Sequence, residues 1–315
     1  MPNRPKDPFS QTGDVANLSD VVRSLTAGLS VEMTPRDVRK EPGLCEQSLP
    51  AGTRVYLTFL PRSPFGDTVK AAMSLIDQGM RPVPHIAARG VADAAELDRM
   101  VGELADVGVR ELLVVAGSIG TPKGTFTDTM QVLRSGVLER HGITRVGVAG
   151  HPEGSPDIDV DALETALREK NVFAAEAGCE MYLLTQFCFA ARPIVAWERR
   201  IRAAGNWLPI YIGLPGLTSP RQLLKFGLAC GVGPSLKVLR NQTGGVLSLA
   251  TTSAYYPDQT LLGLASAVRT DQASLISGVH FFPFGATAST ADWAKQIADG
   301  QFRIDDRQGR LAVTA

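Results

Sequence analysis

The apolar run LSVEM ends on a carboxylate, Glu32, where a strand buried on both faces would finish on another apolar residue. Other apolar runs carry polar residues at the corresponding place: Thr58 in YLTF, His85 in PVPHIA, Gly117 and Ser118 after LLVVA, His151 and Glu153 in AGHPEG, Thr185 and Gln186 in LLTQF, and His280 in GVHFF. A carboxyl group among hydroxyls, imidazoles and an amide is suited to proton transfer. A buried carboxylate with few cations nearby has its pKa raised and can hold a proton near neutrality, which would make Glu32 a general acid. The plainer reading is that Glu32 caps a loop or pairs with Arg36, and both stand at this point. His85, His151 and His280 raise the question of a metal, but no HxH or HxxxH pair occurs and no second carboxylate joins them. They are read as ligand-contacting or satisfied core histidines, with no metal expected. Gln186 is either a core amide or a ligand contact.

These residues share one end of a repeating architecture. Eight apolar, β-branched-rich runs span 28–33, 53–59, 81–87, 110–117, 144–150, 180–187, 208–215 and 277–284. Near-continuous apolar runs suit strands buried on both faces. Between them, TVKAAMSLIDQGM, DAAELDRMVGELADVG, DALETALREKNVFAAEAG and TLLGLASAVRTDQASLIS have helical period. Strand alternating with helix eight times points to a single α/β (β/α)8 TIM-type barrel, with an open doubly wound sheet as the alternative. Active sites of such barrels sit at the C-terminal ends of the strands, which is where the polar residues fall. The long stretch between the seventh and eighth runs, including CGVGPSLKVLRNQTGG, is expected to add helical structure over one end, and its TGG is read as plain loop. The expected organisation is an extension at 1–20, flexible or packed on the barrel, a barrel at 21–300 and a C-terminal tail at 301–315.

The 315 residues contain 32 Lys plus Arg and 32 Asp plus Glu, so no net field draws in nucleic acid or an anionic membrane. Cys45, Cys179, Cys188 and Cys230 form no CxxC pair and suit reduced thiols. The polar N-terminal stretch lacks the apolar core of a signal peptide, and no apolar run reaches the ~20 residues of a membrane helix. A cytoplasmic protein is expected. An apolar helix face outside the barrel would serve a homo-oligomer or simply pack on the added segments.

In order and spacing, the motifs resemble methylenetetrahydrofolate reductase. LSVEMTP is similar to that family's first-strand motif, YLTF to its second-strand Thr, VPHIA to its Pro-His, VAGHPEGSP to its YPEGHP turn, LREK to a Leu-Lys-x-Lys helix segment, LLTQF to an ITQ strand end and GVHFFPF to the final HFYT strand. The resemblance runs from Leu29 to Phe284. It implies a barrel that interconverts methylenetetrahydrofolate and methyltetrahydrofolate with NADH or NADPH through bound FAD, in one-carbon metabolism and methionine biosynthesis. It further implies Glu32 as general acid, Gln186, Ser118 and His280 as substrate contacts, and Thr58, His85, Gly117, His151 and Lys170 as flavin contacts.

The departures bear on the cofactor. The family's Arg-Gly-Asp is replaced by Ala116, Gly117 and Ser118, the turn's Tyr and His become His151 and Ser155, and Ala286 stands where an Arg follows the last strand. Weak or absent FAD, with hydride passing directly from nicotinamide to an iminium ion, is therefore one alternative. A pterin-binding one-carbon methyltransferase and a non-catalytic binding barrel are the others, since barrels host many chemistries.

Overall fold

The computed structural model describes residues 17–61, 63–117, 120–155, 158–219, 221–223, 254–305 and 309–314. Eight parallel strands close into a barrel in chain order: β1 (Ser30–Met33), β2 (Arg54–Leu57), β3 (Arg81–Ala87), β4 (Glu111–Val115), β5 (Arg145–Gly150), β6 (Glu180–Phe187), β7 (Ile210–Pro215) and β8 (Ile276–Phe282). Pairing of β1 with β8, Ser30 beside His280 and Val31 beside Phe281, completes the closure. The TIM-type barrel read from the sequence is thus the architecture observed.

Helices wrap the strands: α1 (Leu18–Ala27), α2 (Pro35–Lys40), α3 (Leu44–Ser48), α4 (Phe65–Asp77), α5 (Ala94–Asp106), α6 (Thr129–Leu133), α7 (Val137–Arg140), α8 (Val160–Glu176), α9 (Ala191–Ala203), α10 (Asp258–Thr270) and α11 (Thr287–Ala298). Side-chain caps fix several starts. Asn17 accepts from the Ser19 N–H, Asp93 from Glu96 and Asp159 from Ala162, each satisfying an amide that the helix leaves unpaired.

Both ends of the described chain pack on the barrel. Leu18–Asp20, expected in the N-terminal extension, open helix α1, which buries Val21, Val22 and Leu25 against α10, α11 and β8. Its apolar residues recur at helical spacing, and their burial outweighs the polar character of the preceding stretch. The tail carries an antiparallel hairpin, β9 (Phe302–Asp305) with β10 (Arg310–Val313), anchored by buried Leu311. The helical addition expected between β7 and β8 falls largely on residues 224–253, outside the described residues, as do Cys230 and the TGG stretch.

The strands bury both faces. Outward residues such as Val31, Val55, Ile86, Leu112, Val114, Val146, Val148 and Ile212 join the helix faces in one core. Inward residues Tyr56, Val83, Leu113, Tyr182 and Leu184 form a second core inside the barrel, where the Tyr56 and Tyr182 hydroxyls lie 2.6 Å apart. At the N-terminal end a charged floor closes the barrel. Glu111 lies 3.8 Å from Arg54 and 3.5 Å from Arg145, Arg145 donates to the Tyr211 hydroxyl at 3.0 Å, and Arg54 stacks 4.8 Å over the Tyr211 ring. Ligands must therefore use the other end.

Candidate active site

Glu32 projects into the C-terminal mouth from the penultimate position of β1, two residues above Ser30 on the same face. The strand stops there because Thr34 caps α2: its hydroxyl accepts from the Asp37 N–H, and the Asp37 carboxylate accepts from the Thr34 N–H. Glu32 Oε1 accepts the Thr58 hydroxyl at 2.8 Å, and Thr58 is itself fixed by its N–H donating to the Met33 carbonyl. Glu32 Oε2 lies 3.7 Å from His85 Nε2 on β3 and 3.7 Å from His280 Nε2 on β8. No ion pair joins Glu32 to Arg36 among the described residues, so the plain loop-pairing reading gives way to a cluster drawn from four strand ends.

The electrostatics correct one expectation. Burial does raise the Glu32 pKa, but the His280 and His85 imidazoles and the Thr58 hydroxyl outweigh it, leaving the carboxyl below its usual range. This balance is not legible from sequence, because the partners lie far along the chain. Burial pushes both histidines below their ordinary value, with Glu32 pulling the other way. The resting cluster is an ionised carboxylate between two imidazoles that favour neutrality. The Nε2 atoms of both rings are buried without a hydrogen-bond partner among the described residues, so both remain available to a shift of Glu32.

His280 is fully buried and its plane is pinned by edge contacts to Tyr56 and Phe282, each with ring centroids 4.6 Å apart. Phe282 continues into an aromatic shelf with Phe187 and Phe284. Phe284 holds a left-handed backbone, φ 51°, unusual for a bulky residue.

The other expected residues form a second group at β5 and β6. A register shift between Leu184 and Phe187 re-aims this end of β6. Gln186 then donates to the Gly154 carbonyl at 3.4 Å, tying β6 to the turn after β5. Lys170, on α8, is 7% exposed with its ammonium 3.5 Å from the Ala149 carbonyl, and burial lowers its pKa to about 8. Burial, reinforced by Lys170, takes His151 down to about 4, so this imidazole is neutral at physiological pH. Gly117, with φ 87°, lies two residues past β4, where an added Cβ would stand 3.1 Å from Ala87 Cβ. Ser118 lies outside the described residues.

Ser30 was not singled out from the sequence, yet its hydroxyl lies 2.9 Å from His280 Nδ1. The available signal was its spacing of two from Glu32 on one strand face. Tyr56 and Tyr182 were likewise hidden within runs read only as apolar.

Comparison with known proteins gives a partial likeness. No family model matches the chain. A 70-residue stretch is 37% identical to methylenetetrahydrofolate reductase 1 of Schizosaccharomyces pombe, spanning 22% of this chain and 11% of that protein. Among solved structures, 2,3-dimethylmalate lyase, a member of the PEP mutase/isocitrate lyase superfamily, aligns over 90% of this chain and 86% of its own, with a TM-score of 0.47 and 12% identity. The chain fits a barrel enzyme. The closed barrel with a polar mouth carries that statement, and the partial match is in keeping with it. No helix among the described residues is long and apolar enough to cross a membrane.

Proposed function

We propose that this protein is an oxidoreductase that interconverts methylenetetrahydrofolate and methyltetrahydrofolate with NADH or NADPH. The observation that carries the reading is Glu32 at the barrel mouth, bonded to Thr58 and flanked by His85 and His280. Ring opening of the methylene bridge needs a proton on the departing nitrogen. Glu32 supplies it, the carbon–nitrogen bond breaks, and an iminium ion remains. Hydride from the nicotinamide C4 then adds to the iminium carbon, giving the methyl group and oxidised nicotinamide. A planar pterin covering the mouth would remove the remaining exposure of Glu32, whose side chain is 17% exposed, and so raise its pKa in the complex. Gln186 is the amide on the opposite strand group available to the pterin's polar edge.

Among the described residues, those expected at a flavin site do not suit tightly held FAD. Its pyrophosphate calls for cations or open backbone donors. Thr58 and His85 are turned to Glu32, His151 is neutral, Lys170 is buried against a carbonyl, and Ala286 stands where the resemblance expects Arg. Direct hydride transfer is therefore the favoured form, since a nicotinamide cosubstrate must leave at every turnover and needs weaker holding.

The test is an absorption spectrum after FAD addition and gel filtration, with NAD(P)H oxidation followed on methylenetetrahydrofolate. Turnover without flavin bands supports direct transfer. Turnover only with retained flavin restores the flavin relay. Folate binding without NAD(P)H oxidation would move the protein to the methyltransferase reading.

A further inference from the structure

The geometry points to Ser30 as a positioning residue that fixes the tautomer of His280, so that the Nε2–H of His280 faces Glu32. This rests on the reading of Glu32 as the acid of the site. Ser30 is 1% exposed and His280 fully buried, so neither atom of their 2.9 Å contact exchanges its partner for bulk water. Among the described residues the Ser30 hydroxyl has no other side-chain partner, and His280 Nδ1 is the acceptor within reach. A neutral imidazole carries one N–H and one lone pair. If Nδ1 bore the hydrogen, the Nε2 lone pair would face the Glu32 oxygen at 3.7 Å, two electron-rich atoms opposed in a buried site. With the Ser30 O–H donating to Nδ1, the Nε2–H faces the carboxylate, an attractive arrangement that a small approach turns into a hydrogen bond. The edge contacts of Tyr56 and Phe282 prevent the ring from turning over to exchange its nitrogens.

The consequence is a proton path set by strand geometry. Because Nε2 already carries the ring hydrogen and Nδ1 accepts from Ser30, an arriving proton goes to the Glu32 carboxylate, beside the Nε2–H. When Glu32 gives its proton to the substrate nitrogen, the carboxylate that remains is held by the same Nε2–H until a proton returns from solvent. His85, facing the same oxygen from β3, has no such partner from β1 and is the less constrained of the two rings.

The experiment is nitrogen-15 NMR of imidazole-labelled protein without ligand, with His280 assigned by comparison with His280→Gln. The chain has four histidines, so assignment is direct. The expected result is His280 with a protonated Nε2 and an unprotonated Nδ1, and in Ser30→Ala a mixture of tautomers with a displaced pH profile of kcat/KM. A wild-type His280 protonated at Nδ1 overturns the proposal, as does a Ser30→Ala protein whose tautomer and pH profile match the wild type. The NMR result is obtained without substrate. A protein with the expected tautomer but no folate-dependent turnover would overturn the proposed function and leave the role of Ser30 standing.

Discussion

Glu32 accepts the hydroxyl hydrogen of Thr58 at 2.8 Å, a bond that joins the end of the first barrel strand to the end of the second. The same carboxylate faces histidines from the third and eighth strands, so one acidic residue gathers four strand ends. Glu32→Gln keeps the volume and a Thr58 partner but removes the transferable proton. It is expected to lower kcat by about 10²–10⁴-fold with little change in thermal midpoint. Steady-state rates with methylenetetrahydrofolate, beside a melting curve, check this; near-normal turnover would exclude the acid role.

The acid, with His85 and His280, titrates as a unit. Because Glu32 is held below the usual carboxylate range by the imidazoles and Thr58, and burial holds both histidines below their ordinary value, the active protonated form is a minority at neutral pH. The expected outcome is that kcat/KM falls with rising pH between 6 and 8, toward a slope of −1, while kcat falls less because the bound pterin raises the acid's pKa. A flat kcat/KM across this range would contradict it.

Lys170 bears on stability. Its pKa of about 8 lies below the ordinary 10.5, so between these values the unfolded chain binds more protons than the folded one. Stability therefore rises with pH across that window and is lower below it, by about 3 kcal/mol at most. Lys170→Met is expected to stabilise the protein at pH 7 and to flatten the rise toward pH 10, read by urea unfolding at both values.

The register shift in β6 depends on its neighbour. A Cβ at Gly213 would meet the carbonyl oxygens of Thr185 and Gln186 at 2.6 and 2.7 Å, both backbone and unable to move aside. Gly213→Ala should destabilise the fold by about 2 kcal/mol or more and raise the KM for folate by displacing Gln186. An unchanged KM in the folded variant would detach Gln186 from substrate binding.

Much of the architecture was legible because both faces of each strand are buried, which writes nearly continuous apolar runs into the chain. The runs at 81–87 and 180–187 match β3 and β6 residue for residue. Strand ends then located Glu32, Thr58, His85 and His280, whose convergence follows from barrel closure. The ionisation of Glu32 was not legible, since its partners arrive from β3 and β8 and only three-dimensional proximity sets their effect. Ser30 escaped notice because a serine inside a buried run reads as a tolerated small residue until its opposite number, His280, is known. The irregularity in β6 left no glycine or proline mark on that strand and shows only through Gly213 on the next.

Among the described residues, the charged floor of Arg54, Glu111, Arg145 and Tyr211 closes the N-terminal end of the barrel and leaves the C-terminal mouth as the doorway. On the proposed direct transfer, donor and acceptor of the hydride enter by the same opening and must be present together. Initial-rate plots at several fixed concentrations of the second substrate should then intersect rather than run parallel. The bulkier folate, by covering Glu32, would also hold the nicotinamide in place until the exchange is complete, so that the order of arrival and departure is written into the shape of the vessel.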